Sequence, residues 1–163
     1  MSLESQNMVR YTDGENAFII DLDRAPLLVT SWCAEPTVEL VLKYTQWSER
    51  FVAECRQNSA KFAIVADLSD CVRPGGDARA LLAKVHVDHD DVFVVRVAVA
   101  NSATVRGALT AISWLTGKRI PVLATRAEGI RAAEELLAEA GISFVAATDL
   151  GEPAPKRRFR FFD

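Results

Sequence analysis

The sequence predicts an α/β protein: a single mixed, largely parallel sheet of five to six strands, an N-terminal antiparallel hairpin and about four helices. Three observations predict it. The runs Phe62–Asp67 (FAIVAD) and Val92–Ala100 (VFVVRVAVA) are apolar without alternation, as strands covered on both faces must be. Each is followed by a segment with helical spacing of its apolar residues, the pattern of strand–helix–strand units. Leu27–Cys33 follows Ala17–Leu22 across only four residues, a link too short for anything but an antiparallel pair.

The elements follow in order. Residues 1–15 read as a lead-in and 16–150 as the α/β domain. After the turn Asp23–Pro26 and the second strand, Pro36-Thr37 opens a long helix to about Asn58. Val41, Tyr44, Phe51, Val52 and Cys55 form its apolar stripe. The third strand, Phe62–Asp67, runs into the loop Leu68–Gly76. Asp77 is placed to cap a short helix carrying Ala78, Leu81, Leu82 and Val85 on one face. The fourth strand leads through Asn101-Ser102, a cap, into a third helix that Gly117 closes with a left-handed residue. A fifth strand, Pro121–Thr125, meets a capping box made by Thr125 and Glu128, and Gly141 ends the last helix. Ile142–Ala146 is a candidate final edge strand. Gly151–Pro155 is a linker, and residues 156–163 form a tail with four basic residues, three phenylalanines and one acid.

Composition narrows the function classes. With 163 residues, half of them apolar, the chain can bury a core without disulfides or metal. A net charge of −3 speaks against a nucleic-acid-binding body, and the tail makes the rest of the chain more acidic still. No apolar run approaches the roughly 20 residues that span a bilayer. Residues 1–10 have no apolar core of a secretory leader. Cys33, Cys55 and Cys71 are odd in number and widely spaced, which suits reduced thiols in the cytoplasm.

Motifs for chemistry are few. Neither a GxxxxGK[ST] nor a GxGxxG phosphate loop is present. His86 and His89, among Asp88, Asp90 and Asp91, raise a metal hypothesis, but Lys84 stands where the first histidine of an HxHxDH string belongs. A polar helix end is the preferred reading there, so no metal and no cofactor is expected. A receiver-type phosphoacceptor site fails because the first strand enters a hairpin and no Lys follows the fifth. No GxSxG elbow occurs. Cys71 is the one nucleophile worth naming, and it has no base beside it in sequence.

What remains is the rim at the carboxyl ends of the strands, where open α/β sheets bind ligands. It collects Asp67, Ser69, Asp70, Asn101, Ser102, Thr104 and Thr125, with Arg106 one turn into the third helix as a candidate partner for an anion. Gly107 costs its helix about 1 kcal/mol relative to Ala, which predicts a close helix contact there. Trp114, seven residues on, extends the same face.

With this order of elements, the chain resembles the STAS-like superfamily, which contains the bacterial anti-sigma-factor antagonists and looser STAS-like and CRAL-TRIO-like proteins. The likeness covers about residues 17–141. It rests on the opening hairpin, the turn Asp67-Leu68-Ser69-Asp70, the run Val105–Leu115 (VRGALTAISWL) and the following PVLATRAEGIRAA. In the antagonists, a serine in a DSSG-like turn at the start of the second helix is phosphorylated and switches partner binding. Here that stretch is Arg73-Pro74-Gly75-Gly76-Asp77, without a hydroxyl. Asp77 stands there as a fixed negative charge or simply a cap, and Ser69 is the nearest alternative acceptor.

The resemblance implies a non-enzymatic regulatory or protein-interaction module. Its partner is another protein or a second copy of itself, met through helix surfaces and the loop Leu68–Asp77. No nucleic acid and no membrane span enter this reading. One alternative is a carrier of a small apolar ligand, in a cavity under the first helix beside Tyr44, Trp47 and Phe51; ordinary core is the simpler account of that stripe. A second is an enzyme acting at the strand-end rim.

Overall fold

From the third strand on, strand and helix alternate along the chain because short continuous apolar runs give way to segments of 3.6-residue apolar period. The computed structural model describes residues 7–85 and 89–142, with the side chains of 83, 85, 108 and 111–116 outside that description. The elements are β1 (Met8–Asp13), β2 (Asn16–Arg24), β3 (Leu27–Cys33), α1 (Val38–Gln57), β4 (Phe62–Asp67), α2 (Gly76–Val85), β5 (Phe93–Val99), α3 (Ala103–Thr116), β6 (Val122–Leu123) and α4 (Arg126–Glu139). The six strands form one sheet in the order β1-β2-β3-β4-β5-β6. The pairs β1/β2 and β2/β3 are antiparallel, and the pairs from β3 to β6 are parallel. The expected mixed sheet with its hairpin is therefore present.

One strand arises where only a lead-in was expected. β1 alternates, with Val9 and Tyr11 turned to the core and Met8, Arg10 and Thr12 exposed. Its partner β2 is joined by the two residues Gly14 and Glu15, and Gly14 takes φ 59°. A two-residue hairpin asks for glycine at that first loop position. The sixth strand thus comes from the N-terminal side. The candidate strand at 142–146 lies, beyond Ile142, outside the described residues, as does the tail.

Two cores sandwich the sheet. On one face α1 and α2 cover an aromatic layer of Phe18, Trp32, Tyr44, Trp47, Phe51, Phe62 and Phe93. On the other, α4 covers an aliphatic layer of Leu27, Val29, Val65, Val95, Val97 and Val99. Gly129 of α4 lies so close that a Cβ there would stand 2.4 Å from Val99 Cγ2. The close contact expected at Gly107 is thus found at Gly129. A Cβ on Gly107 meets nothing within 4 Å among the described residues.

The start of α1, the end of α3 and both ends of α4 match their sequence signals. Thr125 accepts from the Glu128 amide at 3.3 Å while Glu128 accepts from the Thr125 amide at 3.0 Å. Gly117 ends α3 with φ 66°, and Gly141 follows α4 with φ 74°. Thr37 caps α1 by accepting from the Leu40 amide, and its hydroxyl donates to Asp13 Oδ2 at 2.6 Å, tying the end of β1 to the start of α1.

Candidate functional site

The loop after β4 is held rigidly to β3. Asp67 Oδ1 accepts from the Ser69 amide at 3.1 Å, which turns the chain out of the sheet. The Ala34 amide donates to the Asp70 carbonyl at 3.0 Å, and the Val72 amide returns a bond to the Ala34 carbonyl at 2.9 Å. Ser69 is half-buried and Asp70 exposed.

The same loop then delivers Gly75, Gly76 and Asp77 to the start of α1. The helix begins at Gly76, so Asp77 occupies the first turn instead of the cap position, where its charge still favours the helix N-terminus. The Arg79 amide bonds the Gly75 carbonyl at 3.0 Å and closes that turn. Glu35, Pro36, Thr37 and Val38 face Gly75, Gly76, Asp77 and Ala78 across a groove of about 270 Å³. Val38, which lines it, is 41 % exposed, and Leu42 on α1 and Val72 in the loop before α2 are 46 % and 59 % exposed. Val38 and Leu42 are one turn apart, so they present a single apolar face of α1 to solvent. Glu35, Val38 and Leu42 had no individual flag in the sequence, while Val72 lies in the loop Leu68–Asp77 already expected to meet a partner. The visible signal was a 38/42 pair lying off the Val41–Tyr44 stripe.

Asn101, Ser102 and Arg106 form a separate group at the end of β5. Ser102 is the N-cap residue of α3 without a side-chain capping bond. Arg106 Nη1 turns back to donate to the Asn101 carbonyl at 3.0 Å and the Ala100 carbonyl at 3.4 Å. The guanidinium therefore braces the strand-to-helix junction.

A cation that sequence reasoning passed over sits on the rim. Arg126, first residue of α4, donates to Ser31 Oγ at 3.1 Å and Asp21 Oδ2 at 3.4 Å, and stands 3.7 Å from Asp67 Oδ2. One side chain thus joins β2, β3 and β4. Its position directly after the capping Thr125 was the only hint, since residues at that point face the strand ends.

The chemistry of nucleophiles and metals finds little here. Burial pushes the Cys71 thiol up to about 11, with Cys33 adding to the rise, so its thiolate is disfavoured where a nucleophile needs it. Among the described residues no cluster of three or more His, Cys, Asp or Glu could hold a metal. His86 and Asp88 lie outside them. Tyr44, Trp47 and Phe51 are 3 %, 5 % and 1 % exposed, and the Trp47 and Phe51 rings stack at 4.8 Å. That stripe is core. No described helix is long and apolar enough to cross a membrane.

This is a SpoIIAA-like α/β fold, with its loop and helix surfaces at the carboxyl end of the sheet. An uncharacterized protein of the DUF3478 family from Shewanella loihica PV-4, described as having a SpoIIAA-like fold, superposes with TM-score 0.53 at 10 % identity, over 82 % of this chain and 98 % of that one. An anti-sigma factor antagonist from Mycobacterium paratuberculosis gives TM-score 0.48 at 20 % identity, over 80 % of this chain and 98 % of that one. At such identities the likeness is one of fold. No protein-family model matches the chain, and no curated protein matches it by sequence. The fold class expected from the sequence is met in the architecture.

Proposed function

We propose that this protein is a non-enzymatic regulatory module that binds another protein through the groove between α1 and α2. The observation that carries this reading is a set of half-exposed apolar side chains: Val38, which lines the groove, Leu42 one turn further along α1, and Val72 in the loop that leads to it. Burying the exposed half of each side chain gives roughly 1 kcal/mol apiece, enough together to help anchor a partner. The groove walls are acidic, with Glu35 and Asp77 lining it, so the partner segment is apolar with basic flanks.

The position that a hydroxyl switch would occupy is Gly75-Gly76-Asp77, so binding here is constitutive or is controlled from the partner's side. The setting is cytoplasmic, in keeping with three free thiols. A second copy of the chain is the competing occupant of the same groove.

A photo-crosslinking amino acid at Val38, compared with one at Arg131 on α4, tests this in cells. A heterologous adduct formed from position 38 alone and lost on Leu42→Glu supports the reading. Adducts only to a second copy would replace the foreign partner by self-association. Equal adducts from both positions would sink the groove as the binding surface.

A further inference from the structure

A second site lies at the opposite end of the sheet, where β5 begins and the α3–β6 connection passes. Phe93, Val94, Arg96, Lys118, Arg119, Ile120 and Asp90 line a cleft of about 200 Å³ there. Arg96 projects from the middle of β5 with a side chain only 13 % exposed, and its guanidinium stacks 5.7 Å from the centroid of the Phe93 ring. A planar cation held against an aromatic face is preset in orientation, which lowers the entropy cost of using its donors. Asp90 enters this cleft as a bridge. Its Oδ1 takes Arg96 Nη2 at 2.8 Å and its Oδ2 takes Lys118 Nζ at 2.6 Å.

Two cations, Arg96 and Lys118, therefore share one carboxylate, and Arg119 lines the same cleft. Among the described residues Asp90 is the one acceptor bonded to the Arg96 guanidinium, and Arg119 is exposed without an ion-pair partner. Arginine carries five N–H donors, so Arg96 and Arg119 together keep most of theirs available. The donors that Arg96 and Arg119 keep available suit an anion of more than one charge, and planar forks facing a tetrahedral oxyanion are the usual means of binding one. The other wall is apolar, with Val94 40 % exposed and Ile120 beside it.

We propose that this cleft binds a phosphate monoester with an apolar or aromatic body, and that Asp90 is the internal anion it displaces. The carboxylate spans the two cations as two phosphate oxygens would, and it sits 57 % exposed at the cleft mouth, free to swing into water. Its pKa lies below the ordinary carboxylate range, through the Lys118 hydrogen bond first and Arg96 after it, so it stays charged and competes throughout the neutral range. This site is independent of the α1–α2 groove.

The test is titration of the full chain with phenyl phosphate, inorganic phosphate and benzoate at low salt, read by backbone amide shifts and by melting temperature. Phenyl phosphate is expected to shift the amides of residues 93–96 and 118–120, to raise the melting temperature, and to bind more tightly than inorganic phosphate. Asp90→Asn is expected to tighten it by roughly tenfold or more, since a like charge no longer occupies the site. Arg119→Ala, at an exposed position, is expected to weaken it by a similar factor with the fold intact. No shift with any ligand would overturn the site. Benzoate binding as tightly as phenyl phosphate would overturn the phosphate assignment. Unchanged affinity in Asp90→Asn would overturn displacement.

Discussion

The two faces of the sheet solve the same problem with different materials. Towards α1 and α2 the core is built from rings: Phe18 lies 4.3 Å from Trp32 and 4.7 Å from Tyr44, and Phe51 touches both Trp47 and Phe62. Towards α4 it is built from valine, leucine and alanine, and the helix reaches the sheet only because Gly129 removes a side chain. Large rings fill space between a helix and a sheet at an ordinary distance. Small aliphatic groups leave a gap unless the backbone itself moves in. One face is filled by volume, the other by approach.

Breaking the aromatic side is expected to cost most. Phe51→Ala removes a ring that is 1 % exposed and should destabilise the fold by about 3–5 kcal/mol in urea unfolding. A loss below about 1 kcal/mol would mean the rings are not close-packed. The aliphatic side answers to the opposite change. Gly129→Ala places a methyl 2.4 Å from Val99 Cγ2 and should cost about 1–3 kcal/mol, despite alanine's better helix propensity. Val99→Ala in the same chain should return part of that loss. Plain additivity of the two changes would show that the close approach is not what matters.

Smaller effects sharpen the contrast at the margins. Thr125→Ala takes away the capping box that starts α4 and should cost about 1 kcal/mol. The loss should appear as faster amide exchange in α4, with the aromatic face unaffected. On the aromatic side, Arg56 binds Asp91 by two bonds, 2.7 and 2.9 Å, and holds the end of α1 to the approach of β5. That hydrogen-bonded pairing brings the Asp91 carboxyl down to about 2. A carboxylate depressed in the folded state stabilises above its unfolded pKa and loses that contribution as pH falls through its folded value. Its share should therefore vanish between pH about 4 and about 2. Asp91→Asn should flatten that part of the acid melting curve by lowering the neutral melting temperature slightly, so that the two proteins converge near pH 2.

Much of the frame could be read before any coordinates. FAIVAD and VFVVRVAVA announce doubly covered strands, and Thr125 with Glu128 announces the start of α4, because these signals are local. β1 escaped notice because only Val9 and Tyr11 of its six residues turn inward, and its exposed face looks like any polar terminus. The glycines show the limit clearly. A glycine inside a helix reports that something is unusual, but Gly107 and Gly129 look alike in sequence, and only the approach of Val99 tells them apart. The groove and the phosphate cleft lay beyond reach for a similar reason. Glu35 meets Gly75, and Asp90 meets Lys118, only once strands distant in the chain have taken their places. Arg126 likewise gains its meaning from Asp21, some hundred residues earlier, across three strands.

The strand order has a consequence for how the molecule is made. Each strand lies next to the one synthesised just before it, from β1 through β6. The nascent sheet can therefore grow in the direction of translation, with no strand waiting for a later one to fill a gap at its side. Contacts between neighbours in sequence close short loops and form early. Through Val99 the ribosome has already released every ring of the aromatic face, whereas the valines opposite remain uncovered until α4 emerges. The interval between those two moments is when the half-finished chain shows its stickiest surface, and when a chaperone would find it.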